Sequence, residues 1–283
     1  MKKGPFYKIH PIVVGTKVFD KGMITYQHDY GKEYVIPIYC WLIEGSDKVI
    51  LNDTGLLDVI QSEFREKAIG GKIYKFEEGP AKWGLSPKDI DIVIHTHLHN
   101  DHCENDFKCV NAVFYAHELE FQSAYNLHPL DFRYMADFIE EVDQAGQMIH
   151  IKNEIFEVVP GITMVHTPAH TKGGMIVLIN TEKGIAGITG FCVIMENFNP
   201  PNKIKAMGME VIPPGTNIDP YLAYDQMIKF REMVDILIPL HEPSFFFSKN
   251  YSLRLKTLPF LILKLPLWRN IHLRSLHPEK IIS

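Results

Sequence analysis

The sequence predicts an α/β sandwich forming one main domain, and three observations carry that prediction. Stretches rich in β-branched and aromatic residues alternate with segments of helical periodicity. The residues best suited to metal chemistry stand where those stretches end. A length of 283 residues suits one such domain with a short extension. With 46% hydrophobic and 22% charged residues, the chain has the composition of a packed protein rather than a disordered one.

Residues 7–14, 34–44 and 48–52 are predicted strands, with Gly45-Ser46-Asp47 as the turn between the last two. The run Val49-Ile50-Leu51 opens into a loop at Asn52-Asp53-Thr54-Gly55. Leu57, Ile60, Phe64 and Ala68 then recur at helical spacing until Gly70-Gly71 ends that helix. An irregular loop is expected over 72–86, a helical turn from Ser86-Pro87, and a buried strand over 90–94 that leads into a histidine cluster. Residues 117–145 carry two helices split by His128-Pro129, a segment placed to cap a site or to make a subunit contact. Strands follow over 155–159, 162–166, 175–180 and 184–189. Asp219-Pro220 supplies the N-cap and first turn of a helix reaching about residue 234. A strand over 236–240 then ends at His241.

The net charge of −5 conceals an asymmetry. Residues 249–283 hold seven Lys or Arg against one acid, Glu279, whereas the first 248 residues hold 22 bases and 33 acids. So acidic a body argues against nucleic acid as a partner, because that binding needs clustered positive charge. The chain therefore reads as a core domain over 1–248 and a basic, apolar extension over 249–283. In the extension, Leu253-Arg254-Leu255-Lys256 and Leu263-Lys264-Leu265 alternate apolar and basic residues, with Trp268 nearby. Such a tail wraps the body, mediates homo-oligomer contacts, or lies on an anionic membrane surface. No apolar run approaches the roughly 20 residues that cross a bilayer. Cys40, Cys103, Cys109 and Cys192 form no CxxC pair and follow no signal peptide, so free thiols in a reducing cytoplasm are expected.

The chemistry concentrates in His95-Thr96-His97-Leu98-His99-Asn100-Asp101-His102. Imidazole and carboxylate are the groups that hold zinc or iron in hydrolytic sites. His95 continues the strand and is read as structural. A loop after a strand aims alternate side chains at two neighbouring points, His97 and His99 at one, Asp101 and His102 at the other.

This eight-residue segment resembles the signature of the metallo-β-lactamase superfamily, a four-layer αββα sandwich. Three further segments match in order. The strand ending in Asp53-Thr54-Gly55 is similar to the family's segment before the motif and gives Asp53 a supporting role. His166-Thr167-Pro168-Ala169-His170-Thr171 nominates His170, and Ile238-Pro239-Leu240-His241 nominates His241. The resemblance spans roughly residues 6–244. Val13-Val14-Gly15-Thr16 and the ending at His241-Glu242 are closest to the N-acyl homoserine lactonase branch.

The resemblance implies a first metal site of His97, His99 and His170 and a second of Asp101, His102 and His241. One or two ions are implied, zinc foremost, with iron or manganese as alternatives. A metal-bound hydroxide would open a lactone or related ester on a small-molecule substrate, with Asp101 as the catalytic group that positions it.

Two departures from the family pattern stand out. The family's bridging acid aligns with Phe191, which binds no metal. Cys192 is the nearest substitute ligand, but neighbouring strand positions face opposite sides, and a buried thiol is the alternative. Glu196 and Cys103 are weaker substitutes. The branch's substrate-binding tyrosine aligns with Ile194, leaving Tyr26, Tyr30, Tyr221 or Tyr224 to replace it in space. Two rival readings follow. A glyoxalase-type thioesterase requires the bridging acid and a helical basic tail, whereas residues 258–267 are apolar and broken by Pro259 and Pro266. A metal-binding module of this fold without turnover is the other.

Overall fold

The most apolar stretch of the chain's first half, Ile36 to Ile43, lies at the middle of the molecule with both of its faces covered. In the computed structural model, residues 4–57 and 71–247 are described, all within the compact unit Met1–Ser252. The stretch belongs to strand β2 (Glu33–Glu44). Ile36, Ile38, Cys40 and Leu42 enter one apolar layer, while Tyr39, Trp41 and Ile43 enter another. Period-two alternation with both faces apolar is what a strand buried on two sides requires.

Around it, β1 (Lys8–Asp20), β3 (Ile50–Asn52), β4 (Gly71–Ile73), β5 (Ile92–Ile94), β6 (Val113–His117) and β7 (Met148–Ile151) complete a sheet ordered β4-β1-β2-β3-β5-β6-β7. The pairs from β3 to β7 are parallel and the others antiparallel. The second sheet, ordered β12-β11-β10-β9-β8, comprises β8 (Ile155–Val159), β9 (Ile162–His166), β10 (Met175–Thr181), β11 (Gly184–Ile188) and β12 (Ile236–Ile238). The helices are α1 (Asn100–Cys103), α2 (Glu118–Tyr125), α3 (Ala136–Gln144), α4 (Met195–Phe198), α5 (Asn202–Lys205), α6 (Pro220–Met233) and α7 (Ser244–Phe247).

Three apolar layers give the αββα order. Trp41, Ile50 and Ile94 of the first sheet meet Met164, Val177 and Ile188 of the second. Phe121 and Ala124 of α2, with Ile139 and Val142 of α3, cover the first sheet's outer face. Ala223, Met227 and Phe230 of α6 cover the second. That approach is close, because a Cβ on Gly187 would stand 2.6 Å from the Phe230 ring. Asp219 caps α6 as its side chain expects, accepting from the amides of Tyr221 and Leu222.

Several elements differ from the sequence reading. The first strand runs on to Asp20, bending at a bulge between Val13 and Gly15. The expected loop over 72–86 opens with β4 on the edge of β1 and continues in two 3₁₀ turns, Phe76–Glu78 and Pro80–Trp83. Strands β6 and β7 are additional. The helix read from Leu57 to Ala68 and the extension over 249–283 lie outside the described residues. Among the described residues, no helix is long and apolar enough to cross a membrane.

Candidate metal centre

Strand β5 ends at Ile94, and the next residues are pinned before they can wander. The amide of His95 still donates to Tyr115 of β6 at 2.9 Å. The amide and hydroxyl of Thr96 both donate to Asp53, each at 2.9 Å. Asp53 sits at the C-terminal end of β3 in the left-handed region, φ 57°, a conformation aspartate tolerates better than most residues. The single turn α1 then carries Asp101 and His102, and the His102 ring comes to lie beside that of His97, with centroids 4.1 Å apart. His170 lies on the loop between β9 and β10, which Thr167 closes by donating from its amide to Gly174 at 2.8 Å. His241 follows β12.

The folded chain thus gathers two groups. The ligand atoms of His97, His99 and His170 lie within 4.8 Å of one another, and so do those of Asp101, His102 and His241. All six residues are buried. Their remaining ring nitrogens are held by the surrounding protein. His102 Nδ1 meets Asp53 at 2.9 Å, His170 Nδ1 the carbonyl of Thr216 at 2.6 Å, and His241 Nδ1 the carbonyl of Pro37 at 3.0 Å. His99 is reversed, with Nε2 beside Asp131 at 3.3 Å and Nδ1 at 3.1 Å from His170 Nε2. Outer partners of this kind fix the tautomer and aim the free nitrogen. His97 Nε2 is buried with no hydrogen-bond partner. A buried imidazole nitrogen without one is costly, and an ion bound there would satisfy it. Five imidazoles and one carboxylate suit zinc, iron or manganese.

The electrostatics agree. Burial, reinforced by neighbouring histidines and Arg133, holds His97 and His170 well below the ordinary histidine value. Burial also lowers His99 and His241 to about 4. All four therefore offer neutral rings at pH 7. At Asp101 burial acts upward, but Lys17 and then His102 outweigh it and keep the carboxylate ionised. His102 is raised, since Asp101 and Asp53 outweigh its burial.

A pocket of about 240 Å³ opens onto these groups. His99, Asp101, His102, His170 and His241 line it, with Phe19, Met23, Leu130 and Phe132 as an apolar wall. Cys192, nominated as a substitute ligand, lines it too. Phe191 turns outward and packs on Phe230 with ring centroids 6.4 Å apart. Positions 191 and 192 lie beyond β11, which ends at Ile188, so strand alternation does not apply to them; the thiol nevertheless faces the pocket while the Phe191 ring packs on Phe230. Burial, followed by Asp101, pushes that thiol up to about 12. The other nominated substitutes are engaged elsewhere. Glu196 takes Lys21 at 2.6 Å, and the Cys103 thiol donates to the carbonyls of Leu98 and His99. Ile194 is buried in the layer with Ile36 and Ile38. Tyr26, Tyr30, Tyr221 and Tyr224 do not line the pocket. The helices of 117–145 pack on the sheet, and the connection between them, carrying Leu130, Phe132 and Arg133, reaches the pocket.

Four residues escaped the sequence reading. Glu120 is buried and accepts from the amides of Leu98 at 2.9 Å and Gly173 at 2.8 Å and from Tyr134 Oη at 3.1 Å. It ties the histidine loop to the His170 loop, and Gly173 leaves room for it, since a Cβ there would lie 2.7 Å from the Glu120 amide. Asp131 holds His99 and is itself held by Arg133 Nε at 2.8 Å. Lys17 stands 3.7 Å from Asp101. A lone lysine at a position where a paired strand should be buried was the one available signal for it. His95 is structural as read, with Nε2 2.8 Å from Asp106.

An αββα sandwich with two buried histidine-rich groups at the strand ends is the architecture of a metallo-hydrolase. A family profile described as the metallo-beta-lactamase superfamily matches residues 34–185, and the chain belongs to that superfamily. It is 26% identical over 186 residues to an N-acyl homoserine lactonase of a Bacillus species, covering 62% of this chain and 71% of that one. It is 30% identical over 165 residues to a probable metallo-hydrolase of Methanocaldococcus jannaschii, covering 58% and 63%. Among solved structures, a quorum-quenching N-acyl homoserine lactone lactonase superposes with a TM-score of 0.67 at 24% identity, over 86% of this chain and 95% of that one. A variant of B. thuringiensis AiiA with N-decanoyl-L-homoserine at its active site gives 0.66 at 23%, over 84% and 94%.

Proposed function

We propose that the chain is a metal-dependent hydrolase that opens a lactone or a related small-molecule ester. The observation that carries this reading is the pair of buried three-ligand groups, side by side at the floor of one pocket. A bound divalent ion supplies a water acidified to a pKa near 7 and a Lewis acid for a carbonyl.

The chain's own residues do the rest. Asp53, Thr216 and Pro37 hold three imidazoles in orientation. Asp101, kept ionised by Lys17, accepts a hydrogen bond from the attacking water and orients it. Phe19, Met23, Leu130 and Phe132 offer an acyl chain an apolar wall. Among the described residues no tyrosine lines the pocket, and Arg133 and Thr216 are the polar side chains there suited to orienting the substrate carbonyl. Relatives named N-acyl homoserine lactonases support the lactone class.

The test is a panel of lactones, carboxylic esters and β-lactams, assayed before and after chelation and after return of zinc, iron or manganese. Turnover of a lactone or ester that disappears on chelation, returns with metal and is abolished in His170→Ala is expected. Absence of metal-dependent turnover across the panel overturns the reading.

A further inference from the structure

We propose that Asn197 is a positioning residue of the metal centre. Its buried side-chain amide fixes the strap over 212–218, and the Thr216 carbonyl on that strap turns the His170 ring toward the ion. The inference rests on the reading of the site as a hydrolase centre.

Residues 209–219 form neither helix nor strand, and Pro213-Pro214 supply no amide hydrogens. Such a segment takes its position from what it touches. On one side it is bonded to the loop between β1 and β2. The Tyr26 amide donates to the Pro213 carbonyl at 2.9 Å, and the Thr216 amide donates to the Met23 carbonyl at 3.0 Å. The two backbones meet at glycines, since a Cβ on Gly215 would stand 1.9 Å from the Gly22 carbonyl oxygen. On its other side the strap is bonded to the ligand loop between β9 and β10. The Ile218 amide donates to the Ala169 carbonyl at 2.8 Å, and His170 Nδ1 donates to the Thr216 carbonyl at 2.6 Å. Gly215, Thr216 and Asn217 also line the pocket.

Asn197, on α4, is fully buried where these pieces join. Its Nδ2 donates to the carbonyls of Ile24 at 2.8 Å and Ile212 at 2.9 Å, and its Oδ1 accepts from the Ile194 amide at 2.9 Å. Its own carbonyl accepts from the Ile212 amide at 2.7 Å. Carbonyls on one side and an amide on the other set the orientation of the side chain. One amide hydrogen thus goes to the β1–β2 loop and the other to the start of the strap. An aspartate of the same shape has no hydrogen to give and sets an oxygen against both carbonyls. Glu120 holds the backbone of the His170 loop, whereas the strap decides which way the ring on that loop faces. His170 Nε2 lies 3.1 Å from His99 Nδ1, so a modest rotation of the ring separates the donor atoms. Displacing the outer hydrogen bond of a ligand weakens ion binding by about 10- to 100-fold. Asn197 acts through one further link, which sets the expectation at the lower end.

The test compares full-length wild type, Asn197→Asp and Gly215→Ala, with Val142→Ala as a variant that loosens the core under α3 instead. Cobalt affinity is measured by titrating chelator-treated protein and following visible absorbance, and the melting temperature of each metal-free protein is measured separately. Proton NMR follows the imidazole N–H that His170 donates to Thr216, assigned by its absence in His170→Gln. The cobalt dissociation constant is expected to rise about tenfold in Asn197→Asp and Gly215→Ala, with the N–H resonance moving upfield. Val142→Ala is expected to melt lower while keeping the wild-type constant and resonance. Should Asn197→Asp not fold, Asn197→Ser replaces it, and Gly215→Ala still tests the strap. Folded Asn197 variants that keep the wild-type constant and resonance overturn the inference and leave the hydrolase reading standing, since the amide then adds only stability. A wild type that takes up no cobalt overturns both.

Discussion

Small side-chain choices decide how this site is held, and His95 shows how. Burial disfavours its charged form, yet Asp106 first and Asp53 second outweigh burial and push it up to about 10, against 6.5 for the free group. The folded chain then keeps a proton that the unfolded chain releases. This contribution to stability is complete below about pH 6.5 and is lost as pH rises through about 10. His95→Gln is expected to lower the urea midpoint at pH 7 and to flatten its decline between pH 7 and 9.5. An unchanged slope would show that the proton is not held there. At this scale the ligand histidines were legible because four of them in eight residues are hard to explain as packing. Cys192 was nominated, but its direction was not legible, because it stands in the irregular turn after β11, where no strand periodicity fixes which way a side chain points. Lys17 was hidden for a related reason, since nothing local tells which apolar strand position will face a carboxylate 84 residues later.

Between elements, the decisive contacts are loop to loop. Glu120, on α2, accepts amides from both ligand-bearing loops, so one helix sets the distance between His99 and His170. Glu120→Gln keeps the shape but retains only one good acceptor oxygen. One of the two buried amides then loses its partner, at a cost of about 1–3 kcal/mol. At roughly 2–4 °C per kcal/mol for a chain of this size, calorimetry should show a fall of a few degrees. A change within error would remove the stapling role. The elements were mostly readable, because β-branched runs ended at turn residues and Asp219-Pro220 marked a helix start. Strands β6 and β7 were missed for a physical reason. They pair in parallel with neighbours distant in sequence, so no hairpin turn announces them, and each is short and carries a histidine.

For the whole molecule, an ion that binds the folded chain alone stabilises it by mass action, by about 2.7 kcal/mol at a hundredfold excess over Kd. Adding zinc to chelator-treated protein should therefore raise the melting temperature by roughly 5–10 °C. His97→Ala should abolish that rise. An unchanged melting curve in wild type would mean that the gathered groups do not take the ion.

The two groups share a feature of provenance. Each draws two members from the segment following β5 in the first sheet and one from a connection of the second, His170 between β9 and β10 in one case and His241 after β12 in the other. An ion held by either group is a rivet through both leaves of the sandwich. It cannot be set until the later leaf has been made and laid against the earlier one. Uptake of metal is thus a timestamp on assembly, and a chain truncated before His170 would keep four of the six gathered residues, two of each group, with nothing to close either.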